Sequence, residues 1–118
     1  MDKNQNLIIK YKYDGVYDFK EGLARVFITR DNNDFYGFID KKGNEIVSLK
    51  YEFSDDFSEG LALVRLNRKF GFIDKEGSLI IDFEFDDASS FENGNTDVRI
   101  GLKNFVIDKK GREKINPN

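Results

Sequence analysis

The chain has 118 residues, a length suited to one modest hydrophobic core. Hydrophobic residues make up 39% of it and include 12 Phe and 5 Tyr, a composition that argues against intrinsic disorder. The net charge of −3 excludes a broad basic surface for nucleic acid. The absence of Cys and His excludes disulfides, thiolate or imidazole metal sites and nucleophile–histidine pairs.

The chain repeats itself with a fixed period. Gly43, Gly77 and Gly111 are 34 residues apart, and each ends a related segment: YGFIDKKG, FGFIDKEG and NFVIDKKG. A period of this size indicates a repeat architecture. We predict a single domain over residues 1–118. Its three repeats are predicted to span 14–50, 51–84 and 85–118.

The chain begins with a predicted orphan strand. Residues 6–13, NLIIKYKY, match NEIVSLKY at residues 44–51, which is the last strand of the first repeat. Because repeat material follows Met1 so closely, we expect a complete chain with no attached effector domain. The N-terminus has no signal-peptide pattern and no run of membrane-spanning length, so a cytoplasmic location is the expectation.

Each repeat is predicted to contain three short strands. The first strand alternates apolar and polar side chains, which is typical of a half-buried strand. Its copies are Leu23–Arg30, Leu61–Asn67 and Thr96–Leu102. The second strands are Phe35–Asp40, Lys69–Asp74 and Asn104–Asp108, and the third are Glu45–Leu49, Ser78–Phe83 and Glu113–Ile115. Four extra residues around Arg30–Asp34 are expected to lengthen the first hairpin loop of repeat 1.

A tight turn follows each second strand. Asp at the first position and Gly at the fourth favour a type I turn, in which the Asp side chain accepts hydrogen bonds from backbone amides. We therefore interpret Asp40, Asp74 and Asp108 as turn residues, in preference to a metal ladder or an acid pair. Gly37 and Gly71 lie inside strands, which indicates close approach of a bulky group, with an aromatic ring as the simplest candidate.

The combination of FKEGLARV (residues 19–26) and YGFIDKKG (residues 36–43), with an Asp-rich loop between copies, resembles the WG (KWG-type) repeat. The resemblance covers roughly residues 7–115. Tyr36 and Phe70 stand at the Trp of the family's Trp-Gly pair, and repeat 3 diverges to Asn104-Phe105, as a capping repeat would. The resemblance implies an all-β array of hairpins that binds without catalysing. Both an open array and a closed pseudo-threefold barrel agree with it.

Acidic residues concentrate in one part of the chain. No Lys or Arg occurs from Glu76 through Val98, and none occurs in the acidic loop of repeat 2 from Glu52 through Glu59. A patch of this kind would complement a basic surface on a partner and steer its association, whereas the competing interpretation is a solvated loop edge. The predicted partner-binding residues are Asp55, Asp56, Glu59, Glu84, Asp86, Asp87 and Glu92.

These patterns predict a non-enzymatic protein-binding module with no catalytic residues, cofactor or metal, and no direct contact with nucleic acid or membrane. As a stoichiometric inhibitor, adaptor or regulator, it would occupy a surface of a larger protein. One such surface is the basic nucleic-acid channel of a nuclease or defence complex, in the manner of an anti-CRISPR protein. The alternative is a carbohydrate- or envelope-binding protein whose aromatic rings form stacking platforms. An enzyme is the third hypothesis and would need a carboxylate pair, Lys or Tyr in a cleft.

Overall fold

The computed structural model describes residues 12–114, which form eleven antiparallel strands in three sheets. The strands are β1 Gly15–Lys20, β2 Leu23–Arg30, β3 Asn33–Ile39, β4 Glu45–Tyr51, β5 Phe53–Ser54, β6 Ala62–Leu66, β7 Lys69–Ile73, β8 Leu79–Phe85, β9 Asp87–Ala88, β10 Asn95–Ile100 and β11 Lys103–Asp108. The all-β prediction is confirmed. Among the two arrangements left open, the described residues form the open array, with extents of 56 × 31 × 18 Å.

Each sheet is a meander of consecutive strands. The first sheet has the order β1-β2-β3-β4 and the second β5-β6-β7-β8, whereas the third contains β9, β10 and β11. The predicted strands correspond to β2–β4, β6–β8 and β10–β11. The predicted third strand of the last repeat is reduced to an isolated bridge between Glu113 and Ile107, and Ile115 lies outside the described residues. Of the predicted orphan strand, only Lys12 and Tyr13 are described.

The four extra residues of repeat 1 do not lengthen a loop, so that prediction is wrong. The turn between β2 and β3 consists of Asp31 and Asn32, with φ of 52° and 67°, and the matching turn in repeat 2 is equally short. The extra residues instead add two pairs to the ladder, Thr29↔Asp34 and Arg30↔Asn33. Two-residue turns with both φ values positive match the twist of a hairpin, so lengthening the strands preserves the favoured turn.

The Asp-x-x-Gly segments form the predicted turns. The Gly77 amide donates to the Asp74 carbonyl at 3.0 Å, and the Asp74 carboxylate accepts from the Glu76 and Ser78 amides at 2.9 Å each. The same bonds recur in the other two repeats. Gly77 has a φ of 86°, a conformation that side chains with a Cβ rarely adopt.

The glycines inside β3 and β7 are approached most closely by backbone atoms of the neighbouring strand, and less closely by an aromatic ring. A Cβ on Gly37 would collide with the Val47 carbonyl oxygen of β4, so the aromatic prediction is wrong there. A Cβ on Gly71 would lie 2.7 Å from the Ile81 carbonyl oxygen, and the Phe83 ring is next at 3.0 Å. The register of both strand pairs shifts at these glycines, so bare backbone is needed where the neighbouring strand bulges.

The hydrophobic core lies between successive sheets. Phe38 of the first sheet packs edge-on against Phe57 at 4.7 Å between ring centroids, and Phe72 of the second packs against Phe91 at 4.8 Å. All four rings are buried. A third, smaller cluster, around Tyr13, lies on the opposite side of the first sheet. Each interface thus repeats the same aromatic pair, which spaces and orients the sheets.

Candidate interaction surfaces

Asp56, one of the predicted partner-binding residues, joins repeat 2 to repeat 1. Its carboxylate lies 3.4 Å from Nε of Arg25, whose side chain is only 15% exposed. Arg25 also donates to the Ser54 carbonyl oxygen at 2.5 Å and stacks on the Tyr17 ring, 3.9 Å from its centroid. Asp56 is therefore half-buried and has a structural partner inside the chain.

Asp55 and Asp86 also make bonds within the chain. The Ser90 hydroxyl donates to Asp55 at 2.8 Å. Asp86 accepts from the Gly101 amide at 2.7 Å and pairs with Lys69 at 2.5 Å. The hydrogen bond from the Gly101 amide, aided by Lys69, holds the pKa of Asp86 below its ordinary value. Asp86 therefore caps the turn between β10 and β11.

Glu59 belongs to a ladder of carboxylates between repeats. The Glu21 carboxylate accepts from the Glu59 and Gly60 amides at 2.9 Å each. One repeat further on, the Glu59 carboxylate accepts from the Asn93 and Gly94 amides at 2.6 and 2.9 Å. Glu21 therefore caps the turn that contains Glu59, its equivalent in repeat 2. Glu59 in turn caps the turn that contains Asn93, the equivalent position in repeat 3.

A lysine of the next repeat lies beside each carboxylate of this ladder. Lys75 is 3.5 Å from Glu21, and Lys109 is 4.0 Å from Glu59. Burial acts to raise the pKa of Glu21, but hydrogen bonds from the backbone amides and the charge of Lys75 outweigh it and leave the pKa lowered. Lysines at the tips of the Asp-x-x-Gly turns therefore have a structural role in repeats 2 and 3.

Three of the seven predicted partner-binding residues are exposed: Glu84, Asp87 and Glu92, which we call the exposed acidic trio. Asp87 accepts from the Ala88 amide at 3.0 Å. Within residues 12–114, the carboxylates of Glu84 and Glu92 have no hydrogen-bonding or ionic partner. Of the seven predicted residues, Asp55, Asp56, Glu59 and Asp86 are thus engaged within the chain, and the exposed acidic trio is what the predicted site presents to solvent.

A row of aromatic rings runs across the first two repeats, and we call it the aromatic stripe. Consecutive centroids lie 6.1, 5.5, 6.4 and 6.1 Å apart. The members are Tyr17, Phe27, Tyr36, Phe53 and Phe70. Tyr17 and Phe53 at 40% and 37% are exposed, and the other three are half-buried. The stripe crosses the boundary between the first and second sheets.

A groove of about 560 Å³ adjoins the stripe. Residues 32–36 of the lengthened β2–β3 hairpin line it, together with Arg65 and Arg68 of repeat 2. Glu52 also lines the groove, but its carboxylate accepts from the Asn67 and Arg68 amides at 2.8 and 3.1 Å. The groove therefore offers aromatic surface beside two arginine side chains.

Tyr36 occupies the centre of this region, in the stripe and in the groove wall. Burial, together with the neighbouring Tyr17 and Asp34, raises the pKa of its hydroxyl above the ordinary value of 10.0. The hydroxyl therefore stays protonated at neutral pH and can donate a hydrogen bond. Sequence reasoning missed this surface, although Tyr36 and Phe70 stand at the family's Trp position and Phe27 and Phe53 flank them.

The described structure and the sequence lead to one class, an open array of β-sheet repeats. Comparison with protein families matches the chain to the family described as WG containing repeat, over residues 1–28, 36–70 and 70–101. These segments cover more than half of the chain, which therefore belongs to the WG-containing-repeat family, and the resemblance seen in the sequence is confirmed. The second segment begins in β3 and ends in β7, so this family unit spans an interface between two sheets.

No curated protein and no solved structure matches the chain. Among residues 12–114, no helix is long and apolar enough to cross a membrane. The same residues contain no group of three or more carboxylates arranged to hold a metal ion.

Proposed function

We propose that the chain is a non-enzymatic protein-binding module that acts as an inhibitor, adaptor or regulator by occupying a surface of a larger protein. The aromatic stripe carries this proposal. Aromatic and arginine side chains are enriched at the energetic centres of protein interfaces, and here the rings adjoin Arg25, Arg65 and Arg68. The stripe and its groove form one continuous candidate contact surface.

The rings of the stripe are held before any partner arrives. Tyr36 packs against the core between the first two sheets, and Phe53 lies edge-on to Phe70 at 6.1 Å. The cation of Arg25 stacks on Tyr17. Because these side chains are already ordered, binding loses less conformational entropy than it would with mobile loops.

A binding module without chemistry changes its partner by blocking a surface or by favouring one conformational state. A basic partner, including the nucleic-acid channel of a nuclease or defence complex, would be steered by the exposed acidic trio. Such steering acts mainly on the association rate and weakens with salt, over a Debye length of roughly 8 Å at physiological ionic strength. The trio is therefore proposed to guide encounter, and the stripe to hold the complex.

Carbohydrate or envelope binding is the second candidate function. It is favoured by the half-exposed rings on successive repeats, since stacking on a sugar needs an open ring face. The tilted packing of Tyr36 against Phe27, with 40° between ring planes, and the cover of Arg25 over Tyr17 leave less open ring face. Protein contact fits this crowded arrangement better.

Affinity capture from cells of the source organism, read by quantitative mass spectrometry, tests the proposal. We expect wild type to retain a stoichiometric protein that Tyr17→Ser/Phe53→Ser loses. Leu102→Ser is the matched control because Leu102 is fully exposed and lies far along the chain from the stripe. All variants should show wild-type circular dichroism.

The remaining outcomes separate the alternatives. Loss on reversing Glu84, Asp87 and Glu92 to Lys, but not on changing the stripe, would move the contact surface to the exposed acidic trio. Binding to glycan arrays with no retained protein would favour the carbohydrate hypothesis. Equal retention by wild type and both variants would contradict both proposed surfaces.

A further inference from the structure

The interface between the first two sheets uses three pairs of groups. Repeat 1 supplies Arg25, Phe38 and Glu21. They meet the Asp56 carboxylate, the Phe57 ring and a turn whose two amides bind Glu21, as described above. The next interface repeats the ring pair and the glutamate cap, with Ser90 in the place of Asp56. At both interfaces the earlier repeat thus supplies the phenylalanine and the glutamate, and the later repeat supplies the second ring and the turn amides.

The receiving groups recur on the outer face of the first sheet, the side that faces away from repeat 2. Asp18 stands where Asp56 does, and Phe19 where Phe57 does. Val16 pairs with Val26 as Ser54 pairs with Val64, so the local register is the same. We call this surface the outer face.

The glutamate-binding turn is also present on the outer face. Glu21 and Gly22 have φ of 53° and 86°, against 56° and 82° for Glu59 and Gly60. Their amides therefore have the same turn geometry as those that hold a carboxylate in repeats 2 and 3. Lys41 corresponds to Lys75, which lies beside that carboxylate, and it is exposed.

Exposure distinguishes this surface from its internal copies. Phe19 is 39% exposed, whereas Phe57 is 4% exposed. Val16 is 39% exposed, and its counterpart Ser54 is fully buried. Ala24, Val26 and Ile39 at the centre of the outer face are fully buried with Tyr13. Within residues 12–114 it is therefore Val16 and Phe19, towards its edge, that lack the burial of their internal copies.

We propose that the outer face docks a WG-type repeat of another polypeptide, one that presents Arg, Phe and Glu in the arrangement of Arg25, Phe38 and Glu21. The arginine would pair with Asp18, the ring would pack on Phe19, and the glutamate would bind the turn amides beside Lys41. Charge complementarity and two internal examples of the interface support this occupant. The surface is separate from the aromatic stripe, so the proposal stands independently of the proposed function.

A second copy of this chain is the wrong occupant. At the far end of the array, Asn93, Asp97 and Val106 replace the glutamate, arginine and phenylalanine. Head-to-tail stacking would place Asp97 opposite Asp18, and like charges in that position oppose association. The wild-type protein should therefore remain monomeric.

Restoring the missing groups at the far end provides the test. We expect Asn93→Glu/Asp97→Arg/Val106→Phe to form head-to-tail oligomers whose mass in analytical ultracentrifugation rises with concentration. Adding Phe19→Ser and Lys41→Glu to the same chain should return it to a monomer. Wild type should be monomeric across the same range.

A mixed experiment measures the docking of the natural outer face. The restored chain with Asp18→Arg and Phe19→Ser keeps its new far end but cannot bind itself, so it should form a 1:1 complex with wild type. If the Val106 change lowers the melting temperature, Asn93→Glu/Asp97→Arg alone repeats the test on surface positions. Monomers throughout, with native circular dichroism, would overturn the proposal, as would oligomers that survive Phe19→Ser/Lys41→Glu.

Discussion

Carboxylates in this protein serve mainly as acceptors for backbone amides. Asp40, Asp74 and Asp108 close the turns after the second strands, and Glu21 and Glu59 cap turns of the following repeat. Recurrence at a fixed repeat position was the available signal in each case. Recurrence was enough to predict the role of the aspartates but not that of the glutamates, because a bond between repeats depends on which turn stacks on which.

The turn glycine has a required conformation, and replacing it tests that requirement. Gly77→Val should lower the free energy of unfolding by about 1 kcal/mol or more, because a β-branched residue resists positive φ. A Cβ there would also approach a Val47 methyl group at 3.4 Å. Thermal melts of Gly77→Val and Gly43→Val check this, with Glu76→Val as the control at an exposed neighbour. Wild-type stability in both glycine variants would refute the conformational requirement.

Glu59 should be more important for stability than Glu92, another of the predicted partner-binding residues. Glu59→Gln keeps one acceptor oxygen but weakens two bonds to the Asn93 and Gly94 amides, with an expected loss of about 1 kcal/mol. Glu92→Gln should leave the melting temperature unchanged, since Glu92 is exposed. Chemical denaturation of the two variants gives the comparison. Equal effects would mean that the glutamate ladder does not hold the repeats together.

At the level of elements, the long alternating strands were predictable and the short ones were not. Val26 and Ile28 alternate clearly along β2, whereas β5 and β9 have two residues each and too little pattern to recognise. Their pairing comes from the stacked sheets around them. Gly37 shows a similar dependence, because the bulge it permits belongs to the neighbouring strand. Phe105 stands at the equivalent position in repeat 3, where the described residues contain only a bridge in place of that strand.

The first hairpin offers a matched pair of deletions of equal length. Removing Thr29, Arg30, Asn33 and Asp34 keeps the Asp31–Asn32 turn and gives the hairpin the length seen in repeat 2. Removing residues 30–33 leaves the same number of residues but forces Thr29 and Asp34 into the turn. Positive φ is unfavourable for β-branched Thr, so the second deletion should melt at a lower temperature.

Circular dichroism and thermal melts decide between the two deletions. We expect the first variant to melt close to wild type, because Asp14 could then cap the shortened turn as Glu52 caps the turn in repeat 2. Indistinguishable melting of the two variants would show that turn conformation does not determine this hairpin. In that case the two residue pairs that lengthen this hairpin would need another physical explanation.

At the scale of the whole molecule, the packing between sheet faces determines that the repeats form an open array. The strand pattern within each sheet does not determine it. The same meanders could line a barrel, which is why the sequence alone left both arrangements open. Phe38 against Phe57 and Phe72 against Phe91 join the sheets in one direction. At the end of the array Val106 replaces the phenylalanine, so the far end offers no ring for a further pair. Stability should therefore be close to a sum over neighbouring repeats.

Stability should vary with pH on both sides of a plateau. Hydrogen bonds from backbone amides, with nearby cations, leave the pKa of Glu21, Asp40, Asp86 and Asp108 below the ordinary values of 4.5 and 3.8. A carboxylate with a lowered folded pKa stabilises the protein above its unfolded pKa. That stabilisation is lost as the pH falls through the folded value. Melting temperatures should therefore decline below about pH 4.5.

On the alkaline side the tyrosines determine whether stability rises or falls with pH. Burial raises the pKa of Tyr13, Tyr36 and Tyr51 above 10.0, so the folded state resists losing these protons, and stability should decline as the pH rises through the folded values. Melts from pH 2.5 to 11 should show the plateau between these limits. Glu21→Gln should lower the plateau and flatten the acid limb, because one group with a lowered pKa is removed. An acid limb unchanged in Glu21→Gln would show that this carboxylate does not contribute to the pH dependence.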